Sequence, residues 1–284
     1  MSDLSLIKEL RVKTGAGFLD CKNALNENDN NIEQSIDSLR KKGLAKATKK
    51  SSREANEGAI GFYKNKNISV ILKINSETDF SAKSDTFLDF LYNIGEIALK
   101  SNNPNLTLND FLKIEDNGKS ISDLLTEMIA KIGENLIIND LKVFDNKEAI
   151  VNYYIHNPYR KNIGKIVSAI FYSSEKENDD VKNFSKNLCM HIAASKPEAM
   201  DKDQLPAELI ESEKKIQEEM IKDSGKPSNV MEKILDGKMK KFYSEVTLLN
   251  QSFVIDNDKT VKEAISDFNS SNSLILKNYI LVSL

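Results

Sequence analysis

Hydrophobic positions along the chain change period several times, and each change marks an element. Leu4, Ile7 and Leu10 recur at helical spacing until Thr14-Gly15-Ala16-Gly17, which predicts a stop. Phe18, Leu19, Ala24 and Leu25 mark a second helix. Ile32, Ile36 and Leu39 mark a third, with Asn30 or Asn31 as its cap and Gly43 as its end. Three helices in so short a segment predict a very small bundle, near the lower size limit for folding alone. From Ala59 the period shifts to two. Residues 59–63 read as a strand, 64–67 as a polar turn, and Ile68, Val70, Leu72 and Ile74 as a half-buried strand. Phe87, Leu91, Ile94 and Ala98 then share one helical face. Residues 120–140 predict another amphipathic helix, carrying Ile121, Leu124, Leu125, Met128 and Ile132.

The same grammar follows again. Residues 149–155 read as a strand, 156–162 as a turn-rich connection, 163–172 as a strongly apolar strand and 181–194 as a helix. The repetition predicts an internal duplication: two α+β subdomains, each a small antiparallel sheet covered by helices. Helical stretches at 206–223 and 228–242 flank Ser224-Gly225-Lys226-Pro227 and predict an antiparallel hairpin, a coiled coil with a narrow apolar seam. In that seam Ile210, Ile216 and Met220 face Met231, Ile234, Leu235 and Met239. Residues 248–255 and 274–284 read as strands around a short helix at 261–268, returning to the second sheet. The expected fold class is therefore α+β. A three-helix bundle and basic linker occupy 1–54, one core subdomain 55–146, a second 147–202 and 244–284, and the inserted hairpin 203–243.

Composition narrows the function. Forty basic residues against 43 acidic give a net charge of −3, without the basic excess expected for gripping duplex DNA or an anionic membrane. Only 11 Gly and 5 Pro argue against a disordered chain and against a turn-rich β-sandwich. The N-terminus has no signal-peptide pattern, and no run approaches the ~18 apolar residues of a membrane span, so a soluble cytoplasmic protein is expected. Cys21, Cys189, His156 and His191 are the whole stock of Cys and His, too scattered for a zinc framework or a disulfide scaffold. Cys189 and His191, two apart on a helix, cannot share a metal, and Cys189 reads as core. Gly118-Lys119-Ser120 lacks the earlier glycine of a phosphate loop, since position 113 is Lys113. No nucleophile–base constellation, metal site or cofactor fingerprint is present. The expectation is a protein that is not an enzyme and works by shape.

Three features stay ambiguous. Arg40, Lys41, Lys42, Lys46, Lys49, Lys50 and Arg53 form a segment free of acid, readable as a phosphate stripe or a solvated helical linker. No aromatics interleave for base stacking, which favours the linker, and nucleic acid is not an expected partner. Phe80 lies seven residues before Phe87, so periodicity favours a buried ring. An aromatic on a loop tip would instead be an exposed interface anchor. Gly17-Phe18-Leu19 places two large apolar residues beside a glycine turn, in the bundle core or on its surface.

Six segments, in order, resemble bacterial translation elongation factor Ts. They are Leu10-Arg11 with Thr14–Gly17, Asp20-Cys21-Lys22 and Ala24-Leu25; Thr78-Asp79-Phe80-Ser81-Ala82-Lys83; Lys131-Ile132-Gly133-Glu134-Asn135; Met190 to Pro197; Ser224–Pro227; and Lys238-Met239-Lys240-Lys241-Phe242. The resemblance implies a guanine-nucleotide exchange factor for the GTPase elongation factor Tu, with a UBA-like N-terminal bundle and no cofactor. It implies that Thr78, Asp79, Phe80 and Ser81 act beside the partner's nucleotide site and dislodge its Mg²⁺ indirectly. Arg11, Phe18, Leu19 and Lys22 would be bundle contacts, and Ile132, Gly133, His156, Val254 and Ile255 further contacts. Ser81 stands where the family usually has Val, trimming apolar area beside Phe80. Longer members continue into a C-terminal helical module, a contact not expected for a sequence stopping at Leu284. The alternative is a general protein-binding module built on the UBA-like bundle, without exchange activity.

Overall fold

A computed structural model describes residues 4–222 and 227–284, leaving out the side chains of Leu44 and Lys46. The Ser224-Gly225-Lys226 reversal lies outside the described residues. The structure mixes helices with small antiparallel sheets. It divides into two compact units: residues 1–147, 157–165 and 283–284, and residues 148–156 and 166–282.

The first unit opens with α1 (Leu4–Thr14), α2 (Phe18–Glu27) and α3 (Ile32–Lys50). They bury Ile7, Leu10, Cys21, Ala24 and Leu25 against one another. Asn31 caps α3, its side chain accepting from the Gln34 N–H at 3.1 Å. Gly43 does not end α3, contrary to expectation. A Cβ there would stand 3.3 Å from Ala130 Cβ on a packed neighbour, so the missing side chain permits a close helix crossing. The basic segment is therefore helix for most of its length. Arg40 pairs with Asp123 at 3.0 Å, Lys42 with Glu27 at 2.6 Å, and Arg53 with Glu77 at 3.4 Å.

The sheet of this unit contains β1 (Glu57–Lys64), β2 (Ile68–Ser76) and later β5 (Leu136–Asp145). β1 and β2 pair antiparallel from Glu57↔Ser76 to Lys64↔Ser69. β2 is not half-buried: flanked on both edges, it is covered on nearly its whole length. Its polar residues are absorbed locally. Ser69 Oγ donates to Asn146 Oδ1 at 3.0 Å, and Lys73 Nζ reaches the Ser283 carbonyl at 2.8 Å. α4 (Asp79–Lys83), α5 (Asp85–Lys100) and α6 (Leu108–Phe111) follow, then β3 (Glu115–Asp116) and β4 (Lys119–Ser120). These last two strands form a small hairpin whose Asn117 and Gly118 both take positive φ, so Gly118-Lys119 is a turn and not an anion cradle. α7 (Ile121–Ile132) then ends on Gly133 in the left-handed conformation, at φ 87°. The predicted helix over 120–140 was too long for this reason, and β5 begins only three residues after Gly133.

α5 buries Phe87, Leu91, Ile94 and Ala98 as the periodicity predicts. Tyr63 stands at the centre of this packing, its hydroxyl donating to the Leu91 carbonyl at 2.9 Å. Its ring fits because two neighbours are glycines. A Cβ on Gly61 would lie 2.3 Å from Tyr63 Oη, and one on Gly95 2.2 Å from the ring.

The second unit holds most of β6 (Ile150–Arg160) and β7 (Ile163–Ser173), which pair with each other. The turn-rich connection expected over 156–162 is strand as far as Arg160, so the loop shrinks to Lys161 and Asn162. Asn162 at φ 65° accomplishes the reversal. α8 (Asp179–Ser195) packs Leu188, Cys189 and Ile192 into a core with Ile170, Tyr172, Leu248 and Phe253. α9 (Ala207–Lys222) and α10 (Ser228–Val246) lie against each other as a hairpin. Its seam differs from the predicted one. Ile216 and Met220 are 47% and 67% exposed, while Ile221 and Met239 are buried. The inward row runs Ile210, Glu213, Gln217, Ile221, and Lys238 Nζ donates to Gln217 Oε1 at 2.7 Å inside it. Residues 248–255 are not one strand either. Leu248 and Leu249 make a 3-10 turn, their N–H groups bonded to the carbonyls of Ala199 and Met200. β8 (Ser252–Phe253) and β9 (Asp256–Thr260) then form a short hairpin, followed by α11 (Val261–Phe268) and β10 (Ile275–Ser283), which pairs with β7.

Gly95→Ala should cost about 1–3 kcal/mol through overpacking against Tyr63. A thermal melt followed by circular dichroism should show a lowered Tm. An unchanged melt would show that the Tyr63 ring yields without cost.

Candidate functional site

Phe80 is 85% exposed, so the buried reading is wrong. The seven-residue spacing to Phe87 misled because α4 and α5 are separate helices. Ser84, in extended backbone at φ −67° and ψ 144°, ends the first and caps the second, its Oγ accepting from the Phe87 N–H at 3.3 Å. Phase is lost across that residue. α4 turns Ser81 and Ala82 inward and Phe80 outward. Among the described large hydrophobic residues only Val12, at 88%, is more exposed. Burying a phenylalanine ring is worth about 1.5–3 kcal/mol, and this unit forgoes it.

Thr78 caps α4, its Oγ1 accepting from the Ser81 N–H at 3.2 Å. The same hydroxyl donates to Glu134 Oε1 at 2.7 Å, and the Thr78 N–H donates to Glu134 Oε2 at 3.0 Å. Glu77 answers from the other side: its Oε1 accepts from the Asn135 N–H at 2.6 Å. Asn135 Nδ2 donates to the Arg53 carbonyl at 2.8 Å, and Lys50 Nζ to the Gly133 carbonyl. The loop after α7 and the turn before α4 are thus cross-linked by reciprocal carboxylate–backbone bonds, the stronger class of hydrogen bond. Asp79 pairs with Lys83 one helical turn on, at 2.7 Å. That hydrogen bond, ahead of the opposing effect of burial, holds the Asp79 carboxyl below its ordinary range. Lys83 also lies 5.8 Å from the centre of the Tyr159 ring.

Ser81 corrects another expectation. It is only 7% exposed and its Oγ has no hydrogen-bond partner, so it trims no surface beside Phe80. Ile132 is half-buried and packs on the core of the sheet, whereas Gly133 is exposed. In the bundle, Arg11 and Lys22 are exposed, Phe18 is 42% and Leu19 69% exposed. The surface reading of Phe18 and Leu19 therefore holds, and Cys21 supplies the core instead. The second unit carries His156, exposed on β6 with Nδ1 3.2 Å from Tyr154 Oη, and Val254 and Ile255 at the β8–β9 turn, 45% and 50% exposed. Sequence reasoning missed Val12 as an exposed apolar residue. It also missed the bracing by Glu77, Glu134 and Asn135, although the Lys131–Asn135 motif contained two of the three. Among the described residues no group of three or more His, Cys, Asp or Glu side chains could hold a metal ion, and no helix is long and apolar enough to cross a membrane.

The family model described as "Elongation factor TS" matches residues 77–282, beginning at the Glu77 brace. The chain belongs to the elongation factor Ts family. It is 39% identical over 264 residues to elongation factor Ts of Ehrlichia canis, covering 93% of this chain and 91% of that one. It is 39% identical over 278 residues to elongation factor Ts of Erythrobacter litoralis (96% and 89% covered) and 38% identical over 263 residues to that of Allorhizobium ampelinum (93% and 85% covered). Family membership supports a role as a nucleotide exchange factor in translation elongation.

Ser81→Ala should raise stability, by about 1 kcal/mol, because it removes a buried hydroxyl that makes no bond. A higher Tm checks this. A lower one would show that the hydroxyl finds a partner in solution.

Proposed function

We propose that this chain releases GDP from the GTPase elongation factor Tu by binding a form of it whose Mg²⁺ and phosphate contacts are broken. No bond is made or cleaved. The coupling is reciprocal: a partner that binds the nucleotide-poor form more tightly weakens nucleotide by the same factor. The observation that carries this reading is Phe80, exposed on a helix held from below by Glu134. A ring left in water on a braced support is an anchor awaiting a pocket on another molecule. In this reading Asp79 and Phe80 enter beside the partner's nucleotide site and displace its Mg²⁺ indirectly. Arg11, Phe18, Leu19 and Lys22 hold the GTPase through the bundle, with Gly133, His156, Val254 and Ile255 as further contacts. Thr78 and Ser81 act through the placement of α4 and Ile132 through the packing under it.

The deciding experiment mixes the full chain with elongation factor Tu carrying fluorescent GDP and follows its release. Acceleration is expected. Binding to the GTPase without acceleration would favour a general binding module, and a steep loss of binding to RNA with salt would favour a nucleic-acid role.

Phe80→Ala should leave the melt unchanged and slow exchange by about thirtyfold, the equivalent of a lost ~2 kcal/mol anchor. A lowered Tm with normal exchange would place Phe80 in the fold and not in the contact. Glu134→Ala keeps the ring but frees the Thr78 N–H, so exchange should slow less, by roughly three- to tenfold, through lost preorganisation. Equal exchange in Glu134→Ala and the parent chain would remove the brace from the mechanism.

A further inference from the structure

Beneath the Val254–Ile255 turn lies a buried polar chain whose donors and acceptors admit one arrangement. Gln251 Nε2 donates to two backbone carbonyls, Ser195 at 3.2 Å and Glu245 at 2.8 Å. Both amide hydrogens are then used, and Gln251 Oε1 is left to accept. It faces His191 Nε2 at 3.0 Å, so that ring nitrogen carries the hydrogen. His191 is fully buried, and its Nδ1 remains as an acceptor. The Val254 N–H meets Nδ1 at 3.3 Å, with Ser195 Oγ at 3.5 Å from the same nitrogen. The Phe253 ring packs 5.7 Å away, centre to centre.

We propose that His191 is a positioning residue for the Val254–Ile255 surface: its neutral Nε2–H tautomer, fixed by Gln251, captures the Val254 N–H and sets how the turn presents its two apolar side chains. The inference rests on the reading of Val254 and Ile255 as partner contacts. The turn has little other support. β8 and β9 pair only at Ser252↔Thr260 and Phe253↔Asp256, with a register shift between. A proton added at Nδ1 sets donor against donor at Val254. It also places a charge where none compensates it. Burial lowers the proton affinity of the ring, and hydrogen bonding to Gln251 opposes this in part, with no charged side chain contributing. From the end of α10, Glu245 offers its carbonyl while its exposed carboxylate lies near Lys241, and at the β8–β9 hairpin Asp256 lies beside Lys259. A depressed histidine means that the unfolded chain takes up the proton first. The stability contributed here is full above about pH 6.5 and declines as pH falls below it.

The test uses the full chain. Nitrogen-15 NMR of the ring at about pH 7 should show Nε2 protonated and Nδ1 bare. His191→Gln keeps a donor towards Gln251 and offers nothing at the Nδ1 position. His191→Asn places a carbonyl oxygen near Nδ1 instead. Exchange of the Val254 amide should be roughly tenfold faster in His191→Gln and closer to the parent in His191→Asn. In the GDP-release assay the half-saturating concentration should rise roughly fivefold in His191→Gln, with the maximal rate unchanged and partial recovery in His191→Asn. A protonated Nδ1, or a Val254 amide equally protected in His191→Gln, overturns the proposal. Should His191→Gln fail to fold, the parent chain decides: the nitrogen-15 spectrum must show Nδ1 bare and shifted as a hydrogen-bond acceptor, and the shift of a free, unbonded Nδ1 refutes the proposal. If Val254→Ala leaves GDP release unaffected, the contact reading fails alone, and the ring tautomer and amide protection still judge the positioning.

Discussion

One extended residue, Ser84, separates a helix that buries its aromatic from a helix that displays one. Without that break α4 and α5 would be continuous, and Phe80 would fall on the row of Phe87 and enter the core. The hydroxyl of Ser84 makes the break self-supporting, because it replaces the first hydrogen bond that α5 would otherwise lack. The exposed ring, the inward Ser81 and Ala82 and the buried face of α5 all follow from this local geometry.

Exposing Phe80 would achieve little if its support moved. A five-residue helix has almost no stability of its own. Rigidity comes from Glu134, whose two oxygens bind the N–H and hydroxyl of Thr78, and from Glu77, which returns the bond to Asn135. The two segments so joined are far apart in sequence and meet because β2 and β5 are paired neighbours, Ser76 lying opposite Leu136. Sheet register therefore places the brace, and the brace fixes the ring. In the proposed exchange reading, an anchor so held loses less entropy on association.

The second unit repeats this logic with other chemistry. His191 stands to Val254 as Glu134 stands to Thr78: a side chain distant in sequence receives a backbone N–H close to an exposed apolar side chain. In both places the captured N–H is one that no strand or helix satisfies, so the site is built from a backbone group that regular structure leaves over.

Element type was legible where one pattern persisted over several turns. α5 and α8 lie where their apolar rows predicted, and the order of short motifs already resembled the family to which the chain belongs. Element ends were not legible. β5 was hidden inside a supposed helix because Leu136 and Ile138 continue the apolar sequence past Gly133, and only the left-handed glycine divides them. β6 ran through His156–Arg160 because ladder pairing overrode turn-forming residues. The hairpin seam shifted by one position, from Ile216 and Met220 to Gln217 and Ile221, because a polar group that finds partners, as Gln217 does in Glu213 and Lys238, can occupy a half-buried row. Gly43 read as a stop and proved to be a crossing point. The sequence by itself determined helical and strand periods, the scarcity of catalytic chemistry and the motif that contains Phe80. Tertiary structure alone decided what holds the exposed ring in place, through the bonds of Glu134 and Glu77. A periodic pattern reports an average over one element, whereas caps, strand pairing and bonds such as Thr78 to Glu134 join residues that sequence keeps apart.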